Sequence, residues 1–100
     1  MNIRITNTSN YDFDSLFVNT GGEQHGYGTI AAGQNSDYHQ FVKAYRYAYL
    51  EVVVNGEKHI YQPIDYVGEE LLNSGNYSFQ ISVNMAANTY KRVELTLAKD

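Results

Sequence analysis

The sequence predicts an all-β protein: an antiparallel β-sandwich of seven or eight short strands, filling one domain over residues 1–100. Three observations lead there. Apolar residues recur with period two rather than 3.6 along most of the chain. Clusters of Asn, Gly and Ser break that alternation at the spacing of sandwich turns. And 100 residues suffice for one core, burying roughly two-thirds of the unfolded surface, but not for two.

The elements follow in order. Ile3 and Ile5 share one face of an opening strand, with Arg4 and Thr6 on the other. Asn7-Thr8-Ser9-Asn10 is a turn, and Phe13 to Asn19 a second strand that Thr20-Gly21-Gly22 breaks. A weak strand is expected over Gly26 to Ile30, and Ala31 to Asn35 turns the chain into another over Ser36 to Phe41. The strongest signal is a long strand from Tyr45 to Val54, the hairpin cue Asn55-Gly56, and a return strand to Gln62. A two-residue loop sets Leu50 opposite Tyr61. A three-residue loop with Gly56 as a left-handed bulge sets Leu50 opposite Ile60, Tyr49 opposite Tyr61 and Glu51 opposite His59. The second register is expected, since a one-residue slip turns side chains to the wrong face.

Pro63 cannot donate to a central ladder and ends that hairpin. Asp65 to Leu72 allows one helical turn at most. From Asn76 to Val83 the alternation is clean, with Tyr77, Phe79, Ile81 and Val83 inward. Asn84 to Asn88 turns the chain into a last strand, whose Val93, Leu95 and Leu97 face the core.

Leu72-Asn73-Ser74-Gly75-Asn76-Tyr77, running into Ser78-Phe79-Gln80-Ile81, resembles the tyrosine corner of immunoglobulin-like and fibronectin type III domains. The resemblance implies that the Tyr77 hydroxyl turns back to a backbone group just upstream. It also implies an immunoglobulin-like sandwich of the kind found on bacterial envelope proteins, with a role in interaction rather than chemistry. The disulfide and core Trp of antibody domains are absent, because the chain has neither residue.

Composition narrows the function classes. Zero cysteines remove disulfide frameworks, thiol catalysis and cysteine-ligated metals. Seven scattered Lys and Arg against eleven Asp and Glu give a net charge of −4, wrong-signed for a nucleic-acid binder. No run of 18 apolar residues spans a membrane. Met1 to Thr6 alternates like a strand rather than like an export signal. The compartment is therefore cytoplasmic, or extracellular or periplasmic if a leader has been removed.

No Gly-x-Ser-x-Gly occurs, and no helix follows Gly21-Gly22 or Gly26-x-Gly28 to aim at a phosphate. The carboxylate pairs Asp12/Asp14 and Glu69/Glu70 sit in turns without a cleft. An enzyme is not expected, nor a cofactor. Glu23/His25 and Asp37/His39 are each spaced to share a strand face, so pairing of their segments would allow a His/carboxylate metal site. Against this stands the plain reading of exposed histidines among carboxylates.

Ten tyrosines and no Trp supply the other candidate. On an extended strand Tyr45, Tyr47 and Tyr49 share one face, opposite Ala48, Leu50, Val52 and Val54, with Tyr61 and His59 as cross-strand neighbours. Such a strip can stack on sugars or pack against a protein. Two plainer readings compete: cross-strand sheet stabilisation, or burial of the tyrosines with the faces inverted. The leading expectation is a non-catalytic contact module with a protein or glycan partner, open to self-association. The alternative is a metal-binding or metal-assisted protein using His25 and His39.

Overall fold

A computed structural model describes residues 1–62, 71–86 and 92–100. Eight strands are present among them: β1 (Asn2–Asn7), β2 (Ser15–Asn19), β3 (Gln24–Gly26), β4 (His39–Gln40), β5 (Tyr49–Val54), β6 (Glu57–Tyr61), β7 (Asn76–Val83) and β8 (Val93–Lys99). They form two four-stranded sheets, ordered β4-β1-β7-β8 and β3-β2-β5-β6. No described residue is helical. The expected helical turn and Pro63 stop lie outside the described residues, except Leu71 and Leu72, which are irregular.

The alternation seen in the sequence sets the core. Ile3, Ile5, Leu16, Val18, Leu50, Val52, Val54, Tyr77, Phe79, Ile81 and Val93 are buried on the facing inner sides. Phe13, Ile30 and Phe41 plug the layer from the connections. Leu95 and Leu97 are half-buried against this cluster, weaker than expected because β8 is an edge strand.

Five expectations are corrected. The second sheet is antiparallel, but the first is mixed: β1 runs parallel to β7, from Asn2 opposite Asn76 to Asn7 opposite Ile81. The strand expected over 26–30 falls instead at Gln24–Gly26, beside β2. The strand expected from Ser36 shrinks to His39–Gln40. The long tyrosine strand begins only at Tyr49, because β2, its ladder partner, ends at Asn19 opposite that residue.

The hairpin register is the remaining correction. Asn55 and Gly56 form a two-residue loop with φ of +52° and +77°, both left-handed. This is the type I′ pattern, whose twist matches the flanking strands. The Asp14 carboxylate accepts the Gly56 N–H at 2.9 Å and clamps it. Leu50 therefore meets Tyr61, Glu51 meets Ile60 and Val52 meets His59. Apolar residues at both Ile60 and Tyr61 left either register tolerable, and turn chemistry decides.

Candidate functional site

The five residues expected to form one aromatic strip do not share a surface. Tyr49 lies on the outer face of the second sheet, where its hydroxyl donates to the Glu51 carboxylate at 2.9 Å. His59 and Tyr61 point to the opposite, inner face, alongside Val52 and Leu50. His59 is only 4% exposed, and its Nε2 is enclosed with no hydrogen-bond partner among the described residues. Tyr45 and Tyr47 precede the strand and are half-buried, Tyr45 with its ring 3.7 Å from where a Cβ on Gly21 would sit. The two-residue turn moved His59 and Tyr61 inward, and the late start of β5 released Tyr45 and Tyr47 from the pleat.

The same shift creates a different surface. Ile60 swings to the outer face of the second sheet and is 47% exposed. It completes a row across the sheet, Gly26–Phe17–Glu51–Ile60, beside a second row, Ser15–Val53–Lys58. Phe17 and Val53 are half-buried there. Glu51 ties the rows together, accepting from Tyr49 and pairing with Lys58 Nζ at 2.9 Å. Hydrogen bonds from Lys58 and Tyr49 hold the Glu51 carboxyl below its usual range, and the same bond raises Lys58. The face is apolar at its centre, with one fixed ion pair.

The outer face of the first sheet is its opposite. Asn2, Arg4, Thr6, Asn76, Ser78, Gln80, Ser82, Glu94 and Thr96 occupy it. Its polar groups bind one another: Arg4 Nε donates to Ser78 Oγ at 3.0 Å and pairs with Asp100 at 3.4 Å. Tyr38 donates to Asp100 while its ring lies 5.0 Å from the Arg4 guanidinium carbon.

The metal candidates are brought together only in part. His25 on β3 and His39 on β4 both face inward, opposite Val18 and Ile3, at the edge where the two sheets meet. Their rings stack with centroids 3.6 Å apart and planes 11° from parallel. Imidazole lone pairs lie in the ring plane, so stacked rings do not converge on a single ion. Burial, then the neighbouring His39 charge, pushes the His25 pKa down. The Glu23 carboxylate is engaged elsewhere, accepting the N–H groups of Val42 and Lys43 at 2.9–3.1 Å, which lowers its pKa. Asp37 is exposed. Among the described residues no three His, Asp or Glu side chains come together in the manner of a metal site. Nor is any described helix long and apolar enough to cross a membrane.

Sequence reasoning missed two features. Asn7, read as a turn residue, is fully buried, donating to Tyr11 and Ile30 carbonyls and accepting from Ser9. The other is a cleft of about 290 Å³ below the tyrosine corner, lined in part by Arg46, Leu72, Tyr77 and Lys99. Its residues come from three distant segments, so no local pattern announced it.

No protein-family model and no curated protein matches the chain. One solved structure is similar, an NMR structure of a protein from Eubacterium rectale, at a TM-score of 0.62 and 13% identity. The match covers 99% of this chain and 86% of that one, and at this identity it speaks for the all-β, two-sheet fold alone.

Proposed function

We propose that this chain is a non-catalytic β-sandwich module of immunoglobulin-like character that acts by contact with a protein partner, through the outer face of its second sheet. The observation that carries the reading is the contrast between the two outer faces. One is polar and bonded to itself; the other sets Phe17, Val53 and Ile60 in adjoining rows around the Glu51–Lys58 pair. An apolar centre with a polar rim is the anatomy of a protein contact. A fixed ion pair of known polarity adds register to such a contact more than affinity. Tyr49 belongs to this face, and His59 and Tyr61 lie on the inner side of the same sheet.

The test is photo-crosslinking from a benzoylphenylalanine placed at Ile60, against the same group at Thr96 on the other face. A discrete adduct from position 60 and none from position 96 is expected. Equal or indiscriminate labelling from both positions rejects the reading. An adduct consisting of two copies of this chain, or a glycan-array signal abolished by Ile60→Lys, replaces the partner with a second copy or a sugar.

A further inference from the structure

We propose that the cleft below the tyrosine corner binds a small amphiphilic carboxylate, its head held between Arg46 and Lys99 and its apolar body lying on Leu72, Tyr77 and Leu97. The inference is independent of the sheet face discussed above.

The cleft follows from how three segments meet. Tyr77, second residue of β7, donates its hydroxyl to the Asn73 carbonyl at 2.9 Å, the bond the tyrosine-corner resemblance implied. That bond folds residues 72–76 back over the sandwich end, while Leu72 N–H donates to the Ala44 carbonyl at 2.8 Å. Arg46, two residues beyond Ala44, thereby comes to line the same cavity as Leu72. The third wall is β8. Lys99 stands opposite Tyr77 in the ladder, and Leu97 opposite Phe79, so both point to the core side of the first sheet.

A lysine at a core-facing register position is the unusual element. It ends an inward series, Val93, Leu95, Leu97, in a charge rather than an apolar group. Its stem runs along Gly75, the terminal methylene 3.6 Å from where a Cβ there would lie. The charge complement is one-sided. Ion pairs among the described residues engage Arg4, Lys58 and Arg92, and neither Arg46 nor Lys99 takes part. Among the described residues that line the cleft, none is a carboxylate.

The contents of the cleft define the ligand class. Tyr77 uses its hydroxyl on the corner, so what it offers the cavity is ring surface. Leu71, at the mouth, is 51% exposed, which extends the apolar wall outward. A guanidinium fork receives a carboxylate in two parallel bonds, and an ammonium adds a point charge beside it. A space of 290 Å³ sits at the small end of ligand sites, enough for a short-chain acid but not for a nucleotide or a peptide. The net charge of −4 also works against polyanions and tolerates a single negative charge.

The plainer account is that Lys99, exposed at the end of β8, discourages pairing of that edge strand with another chain. The two accounts part under titration. Octanoate added to the isotope-labelled protein is expected to shift the amide signals of Asn73, Tyr77, Leu97 and Lys99 saturably, with Kd of about 1 mM or tighter. Acetate, lacking the body, and octanol, lacking the charge, are expected to bind at least about tenfold more weakly. Combining Arg46→Gln with Lys99→Gln is expected to weaken octanoate binding by about tenfold or more while the spectrum stays dispersed. Arg46→Gln alone, at an exposed position, gives the same direction should the double variant unfold. No saturable shift by about 10 mM, equal binding of octanol, or unchanged affinity in the folded variants overturns the proposal. Self-association of Lys99→Gln with unaltered octanoate response assigns the lysine to edge protection instead.

Discussion

Tyr77 and Asn7 show how single polar groups hold the ends of this sandwich. The Tyr77 hydroxyl reaches back four residues to the Asn73 carbonyl, and the Tyr27 hydroxyl crosses between sheets to the Ile3 carbonyl at 2.7 Å. Burial of that second hydroxyl pushes its pKa well above the ordinary tyrosine value. Tyr77→Phe removes one partner of a largely buried bond and leaves the Asn73 carbonyl to find another. A loss of about 1 kcal/mol in unfolding free energy is expected by urea denaturation, with an unchanged m-value. An effect below about 0.3 kcal/mol contradicts a structural role for the corner. The corner was legible because Leu-x-x-Gly-x-Tyr is a local pattern. Asn7 was not: its side chain is buried because Tyr11 and Ile30 offer carbonyls to it, and Ile30 is 23 residues away. Asp12 lies before the strand as expected, whereas Asp14, inside the strand expected from Phe13, precedes the observed β2; their role, fastening Ala32 and Gly56 by their N–H groups, again lies with partners distant in sequence.

Among the elements, strands with a clear apolar alternation or hairpin cue were the readable ones. β5, β6 and their turn appear where Val52-Val53-Val54, Asn55-Gly56 and Glu57 place them, and β7 matches its expected span residue for residue. Edge strands β3 and β4 were misjudged in extent, since their lengths depend on how far β2 and β1 extend beside them. Ile60 and Tyr61 are both apolar, so apolar matching does not separate the two hairpin registers and turn geometry does. Gly56 sits at φ +77°, where nothing contacts a Cβ but an L-residue is strained. Gly56→Ala is therefore expected to cost about 1 kcal/mol through backbone strain alone. The check is calorimetry, where a fall in Tm of roughly 4–8 °C would accompany that loss in a domain of this size. A neutral substitution would mean that the turn is not held in the type I′ form.

At the scale of the molecule, the two-sheet architecture was legible and its mixed strand order was not, because period-two alternation reports which face is buried and not which strand lies alongside. One side of the sandwich is closed by the His25–His39 stack, the Tyr27–Ile3 bond and the Glu23 bonds to Val42 and Lys43. This closure carries a pH dependence whose sign follows from the depressed His25 value. The unfolded chain takes up that proton near the ordinary 6.5, the folded protein only at lower pH. Stability is thus complete above about pH 6.5 and declines as pH falls through the folded value. Glu23, itself depressed, stays ionised through this window and adds its own loss only below its ordinary 4.5. A Tm lower at pH 5.5 than at pH 7.5, with the difference reduced in His25→Gln, is expected by scanning calorimetry. An identical difference in the variant removes the stack as its cause. The parallel pairing of β1 with β7 has a consequence of another kind, for synthesis. Asn2 and Asn76, joined through their side-chain amides, stand 74 residues apart along the chain. The second sheet is complete once Tyr61 has emerged, whereas β1 precedes the other strands and, until β7 follows, pairs along one edge only, with β4 and through bonds to residues 33–36. While the residues between β1 and β7 are being made, then, the strand that ends up second in its sheet has one edge unfilled, and a strand made before its neighbours is among the last to find all its partners.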